Sequence, residues 1–154
     1  MATETDKEIG KVFQVVHRLT EAQAGELVAL YRNEWWTRNR QEADVRRMLE
    51  HTDLIFGLCE ARAPRSFGAG RLVAFARVVS DSVYKATLYD VIVAPEYRGQ
   101  GLGRLLMNAV LEHPAVAQVE HVELYCLPEL VSFYRALGFT EELGGLLLMR
   151  LKKS

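Results

Sequence analysis

The sequence predicts a single-domain α/β fold of the mixed α+β kind: a central mixed and mostly antiparallel twisted sheet with helices on both faces. Three observations lead there. The 154 residues are 49% hydrophobic and 25% charged, enough for one domain that buries roughly 70% of its unfolded surface and too few for two. Between residues 54 and 94 short apolar runs alternate with turn-rich connections, which reads as an antiparallel meander. Beyond residue 94 helix and strand patterns alternate, which adds a crossover to the same sheet. Residues 1–10 read as a flexible N-terminus and residues 11–154 as the folded domain.

Taken in order, Lys11 to Leu19 is a β-rich run, and Thr20-Glu-Ala-Gln23 has the form of a capping box that opens a helix. Ala24, Leu27, Val28, Tyr31 and Trp35 share one stripe of that helix, which must lie on a sheet or a neighbouring helix. A second short helix carries Val45, Met48 and Leu49 inward and turns Glu42, Arg46, Arg47 and Glu50 to water. Three strands follow, 54–61, 71–79 and 87–94, the first two separated by the turn-rich 61–70. A strongly amphipathic helix then places Leu102, Leu105, Leu106, Ala109 and Val110 on one face and stops at Pro114. The remainder reads as a strand at 119–126, a helix at 128–137 with Pro128 in its first turn and Gly138 as its stop, and a last strand at 145–153.

Nineteen Lys and Arg against twenty Asp and Glu leave a net charge of −1, so no basic surface exists to track phosphates, and neither nucleic acid nor a membrane is expected as a partner. The longest apolar runs fall far short of the ~18 residues that a spanning helix needs. Met1 to Gly10 carries Glu4, Asp6, Lys7 and Glu8 where an export signal would be apolar. Cys59 and Cys126 read as reduced thiols, so the expected location is cytoplasmic. His17, His51 and His113 fall in different elements without ligand spacing, and no metal is inferred.

The informative segment runs from Val91 to Met107, a strand that passes through Arg98-Gly-Gln-Gly101-Leu-Gly103-Arg104 into a helix. Its glycines let the backbone approach a ligand, and the orphan N–H groups of the first helical turn point the same way at the positive end of the helix dipole. That is an anion site. No Lys-Ser or Lys-Thr pair follows, so it is not a Walker loop, and neither glycine start completes a dinucleotide fingerprint. Several strands precede the loop, whereas a Rossmann fold places it after the first. A glycine turn with no ligand is the competing reading.

The run from Val91 to Met107 resembles motif A of the GNAT superfamily of N-acetyltransferases, with Arg98 to Gly103 matching its core, and Phe133-Tyr134-Arg-Ala-Leu-Gly138-Phe139 resembles motif B. The resemblance implies a GNAT-like fold and acetyl-CoA as cosubstrate. It seats the pyrophosphate on Arg98, Gly99, Gln100, Gly101, Leu102, Gly103 and Arg104. The pantetheine arm would add like a strand to Val91, Ile92 and Val93, where the fourth and fifth strands splay apart.

Acetyl transfer needs a neutral amine, a stabilised oxyanion and a protonated leaving thiolate. Deprotonating a lysine-like amine at pH 7 is equivalent to roughly 4 to 5 kcal/mol. Asp90 is the carboxylate placed beside the pantetheine strand and is the candidate base, unless it is a structural partner of an arginine such as Arg77. Tyr134, the tyrosine of the motif B match, is the candidate acid toward the thiolate; the alternative is a packed core aromatic. Cys126 lacks a positioned partner, which favours direct transfer in a ternary complex over a covalent route. The resemblance also implies that the first helices line the acceptor pocket, with Trp36, Tyr31 and Arg38 as its wall; ordinary packing of Trp36 over Val45 and Met48 is the alternative. A small-molecule amine is the expected partner, and a homodimer is left open. A CoA-binding sensor or scaffold without turnover is the rival function.

Overall fold

The computed structural model describes residues 13–61 and 70–153. The expected flexible start, the first two residues of the strand expected from Lys11, and nearly all of the turn at 61–70 lie outside the described residues. The chain divides into two compact units, residues 1–124 and residues 125–154.

The first unit holds a five-stranded sheet in sequential order, β1 (Phe13–Val16), β2 (Leu54–Glu60), β3 (Leu72–Ser80), β4 (Lys85–Val93) and β5 (His121–Glu123). The first four run antiparallel and β5 runs parallel to β4, so the sheet is mixed as the meander and crossover require. Between β1 and β2 lie α1 (Glu21–Arg32) and α2 (Glu42–Glu50); the crossover carries α3 (Leu102–Glu112) and the short α4 (Pro114–Ala117).

The capping box forms. Thr20 Oγ1 accepts from the Gln23 backbone N–H at 3.1 Å, and Gln23 Oε1 accepts from the Thr20 N–H at 3.0 Å. Ala24, Leu27, Val28 and Tyr31 are buried as the stripe requires. Leu27, Val28 and Tyr31 cluster with Val45 of α2, Leu72 and Phe75 of β3, and Ile92 of β4. Leu72 to Ala76 are buried without a break, so both faces of β3 are covered. Each large side chain buried there contributes roughly 1.5 to 3 kcal/mol relative to exposure.

Trp35 departs from the expected stripe. α1 ends at Arg32, where Thr37 Oγ1 donates to the Tyr31 carbonyl at 2.7 Å, and the chain turns through 33–39. The helical phase that would have buried Trp35 is therefore lost, and it is 66% exposed. α3 buries Leu102, Leu106, Met107 and Val110, with Met107 a member that the expected stripe lacked. Pro114 forces His113 into an extended conformation, which stops α3, and His113 Nδ1 then caps α4 by accepting from the Ala115 N–H at 3.2 Å.

In the second unit a 3₁₀ turn at Pro128–Leu130 leads into α5 (Val131–Ala136). Gly138, at φ +100°, closes it with a Schellman motif, its N–H bonded to the Arg135 carbonyl and that of Phe139 to the Tyr134 carbonyl. The strand expected at 145–153 does not form. Gly144 and Gly145 take left-handed conformations, the Leu146 N–H closes a turn on the Leu143 carbonyl, and Leu146 to Met149 are exposed without strand pairing. A strand exists only through a ladder, and β propensity alone supplies none.

Candidate active site

The parallel ladder joins Lys85, Ala86 and Thr87 to His121, Val122 and Glu123 and goes no further. Along Val91 to Val93 the edge of β4 turned away from β3 has no ladder partner among the described residues, so its backbone groups are open to an added strand. The β3–β4 register slips in the same stretch: the step from Phe75 to Arg77 faces the longer step from Tyr89 to Ile92. Asp90 sits in this bulge at φ +56°, a left-handed conformation that aspartate tolerates better than most residues.

The strand then runs through a 3₁₀ turn at Pro95–Tyr97 into the glycine loop. Gly99 and Gly101 both have positive φ, +78° and +80°, and a Cβ built on Gly99 would meet nothing within 4 Å. Gly101 is the N-cap of α3, and no side chain caps the helix. Its first-turn N–H groups therefore face outward with the dipole behind them, open to an anion. Arg98 is engaged: Nε donates to the Val93 carbonyl at 3.1 Å and Nη2 to Glu34 Oε1 at 2.6 Å. Gly99, Gln100, Gly101 and Arg104 are exposed.

Asp90 anchors a second cluster. Its side chain is 4% exposed, and the carboxylate accepts from Tyr31 Oη at 2.9 Å, from Arg40 Nη1 and Nη2 at 2.7 and 3.2 Å, and from Arg77 Nε at 2.7 Å. Burial alone would raise its pKa, but hydrogen bonds and charges from Arg40 and Arg77 outweigh burial and hold it below the usual carboxylate range. Burial, followed by the Asp90 charge, pushes the Tyr31 phenol well above its ordinary value. The Arg40 guanidinium lies 4.7 Å over the Tyr31 ring and that of Arg77 4.8 Å over the Tyr89 ring. A cavity of about 230 Å³ opens beside the pair, lined by Arg40, Asp44, Val45, Met48 and Arg77.

Of the expected acceptor wall, Tyr31 is fully buried under this cluster, whereas Trp36, at 39% exposed, and Arg38 present themselves to solvent. In the second unit Tyr134 is 7% exposed, set edge-on against Phe133 and Phe139, and burial followed by the Cys126 charge pushes its phenol up to about 12. Burial and then Glu141 and Glu129 raise the Cys126 thiol, which keeps it protonated and a weak nucleophile. Among the described residues no group of three or more His, Cys, Asp or Glu is placed to hold a metal. Arg40 and Glu34 were missed in the sequence. Each lies in the irregular stretch after α1, where no periodicity assigns a direction, while Arg77 was visible because it lies on the strand next to Asp90.

The family model described as an acetyltransferase (GNAT) domain matches residues 58–141. Serotonin N-acetyltransferase 2, chloroplastic, of Oryza sativa subsp. japonica is 41% identical over 100 residues, 65% of this chain and 48% of that protein. An uncharacterised N-acetyltransferase, ycf52, of Porphyra purpurea is 34% identical over 101 residues, 66% of this chain and 56% of that protein. The chain thus spans about half the length of these curated relatives. A solved structure from Xanthomonas campestris pv. campestris, assigned to the GNAT family, superposes with a TM-score of 0.72 at 32% identity, covering 90% of this chain and 93% of that one. With motif geometry, family model and structural likeness in agreement, the chain belongs to the GNAT superfamily of acetyltransferases.

Proposed function

We propose that the chain moves the acetyl group of acetyl-CoA to a primary amine by direct transfer in a ternary complex. The observation that carries this reading is the run of an open β4 edge into an uncapped helix N-terminus, which suits a ligand with amides at one end and a pyrophosphate at the other. Val91, Ile92 and Val93 would pair with the amide-bearing arm. The backbone of Gly99, Gln100, Gly101, Leu102, Gly103 and Arg104 would cradle the pyrophosphate, with Arg104 and a released Arg98 adding charge.

The thioester supplies an activated acyl carbon: the amine lone pair forms the C–N bond, the C–S bond breaks, and the departing sulfur takes a proton. Tyr134 is assigned to the sulfur. A phenol at about 12 stays protonated at neutral pH and can hydrogen-bond the developing thiolate; burial makes it a weaker acid than a free tyrosine, so any proton it passes to sulfur is replaced, through water, by the one the amine loses. Asp90, which accepts four hydrogen bonds from three residues and is held below the usual carboxylate range, is a poor base; we assign it to holding Arg40 and the loop after α1, and the amine proton to water. Trp36 and Arg38 keep the acceptor-wall role, and Tyr31 supports that wall from beneath. Both described cysteines are free thiols, which supports a reducing, cytoplasm-like compartment.

The test is thiol release from acetyl-CoA across a panel of amines in which serotonin, suggested by the rice relative's name, stands beside phenethylamine, spermidine and glucosamine. Turnover of any one amine supports the reading. Tight acetyl-CoA binding with no thiol release on any of them would favour the sensor function.

A further inference from the structure

Charge around Asp90 does not balance. Arg40 and Arg77 both bond the one buried carboxylate, and the Tyr31 phenol that shares it is neutral, so one positive charge is left over at a half-buried place. Arg77 reaches Asp90 through Nε and, with Arg40, is one of the residues that line the cavity of about 230 Å³. Asp44 lines the same cavity, and its carboxylate is bonded to Arg47 Nη2 at 3.1 Å and largely exposed. Val45 and Met48 supply the apolar remainder. The volume is below the range of whole-ligand pockets, so it suits a headgroup.

We infer that this cavity seats a carboxylate carried by the amine acceptor, so that the favoured acceptors are amino-acid-like amines. The inference rests on the acetyl-transfer reading for the word acceptor, and on the arginine pair for the word carboxylate. A planar carboxylate matches the guanidinium fork, and an already oriented, ring-stacked guanidinium loses little freedom on binding it. The loop after α1 that carries Trp36 ends at Arg40 and α2, so the apolar part of such an acceptor would lie against the exposed tryptophan.

Two measurements separate this from the transfer reading. The first is binding of 3-phenylpropionate, which has the carboxylate but no amine, followed by NMR of the arginine Nε–H resonances without acetyl-CoA. The second compares kcat/KM for phenylalanine and phenethylamine, which differ only by the carboxylate. The expected results are saturable 3-phenylpropionate binding that shifts the Arg77 resonance, and a preference of at least ~10-fold for phenylalanine that Arg77→Gln collapses and Arg77→Lys partly restores. Asp44→Asn, a surface change that removes the competing carboxylate, should tighten 3-phenylpropionate binding roughly two- to fivefold, and it decides the matter if Arg77→Gln does not fold. An enzyme that acetylates phenethylamine as well as phenylalanine and leaves the Arg77 resonance unmoved by 3-phenylpropionate overturns the inference while leaving acetyl transfer intact. Arginine-dependent binding of 3-phenylpropionate by a protein that acetylates nothing upholds the carboxylate site and removes the transfer reading.

Discussion

Asparagine at position 90 removes one negative charge and little else. It adopts the left-handed region about as readily as aspartate, so φ +56° survives, and its side-chain oxygen can still accept from Tyr31 or one arginine. What is lost is the neutralisation of Arg77 and Arg40, whose side chains are 16% and 32% exposed. Removing one partner of a buried pair costs roughly 3 to 5 kcal/mol, and the partial exposure of Arg40 places the loss near the lower end, about 3 kcal/mol. For a chain of this size that lowers Tm by about 6 to 12 °C. The pH dependence carries a sign. Because the folded pKa lies below the unfolded value of ~3.9, the unfolded chain binds the proton more readily, and Asp90 stabilises fully above that value and progressively less as pH falls through the folded pKa. Urea melts of Asp90→Asn and wild type should therefore differ by a constant amount from pH 7 to 5 and converge below about pH 4. A difference under 1 kcal/mol, or one that widens in acid, refutes the reasoning. So does a ~10²-fold loss of kcat at temperatures where the variant is folded, which would return Asp90 to the role of base.

Gly101→Asn and Gly101→Asp both tolerate the left-handed N-cap, but only Asp brings a charge to the pyrophosphate; acetyl-CoA at ~100 Kd should raise Tm of wild type and Asn by about 5 to 10 °C, and that of Asp hardly at all. Equal shifts in the two variants would detach the loop from the cofactor. Glu34→Gln frees Arg98 from an ion pair that acetyl-CoA must otherwise displace, and isothermal titration should show up to ~5-fold tighter binding; weaker binding would mean that the pair holds the loop in its receptive form. Tyr134→Phe keeps the packing with Phe133 and Phe139 and should lower kcat by ~10² with the Kd for acetyl-CoA unchanged, whereas unchanged kcat would leave Tyr134 a core aromatic. Trp36→Ala should raise KM for the amine and not for acetyl-CoA, and wild-type kinetics with a good acceptor would remove it from the wall.

The parts of the molecule that could be read from the sequence are those whose physics is local. Thr20 and Gln23 meet because a capping box spans three residues, Pro114 stops α3 through its own neighbour, and Gly138 ends α5 within one turn. The failures share a cause. α1 stops at Arg32 with no glycine or proline to signal it, through a threonine hydroxyl that reaches back to Tyr31, so the stripe was carried one turn too far and took Trp35 with it. The residues 145–153 have the composition of a strand, but a strand needs a partner that composition does not name. The same division runs through the candidate site. Its anion cradle is made of backbone, and backbone geometry is dictated by the glycines of a single segment, so Arg98 to Arg104 stood out in one reading. Its charged cluster is made of side chains from α1, the loop before α2, β3 and β4, and Arg40 reaches Asp90 across fifty positions. Only Arg77 could be anticipated, because strand adjacency is the one long-range relation that a meander makes nearly local. An anion cradle built from the backbone of one segment is therefore legible in the sequence, whereas a charged cluster assembled from distant side chains is legible only once the fold is known.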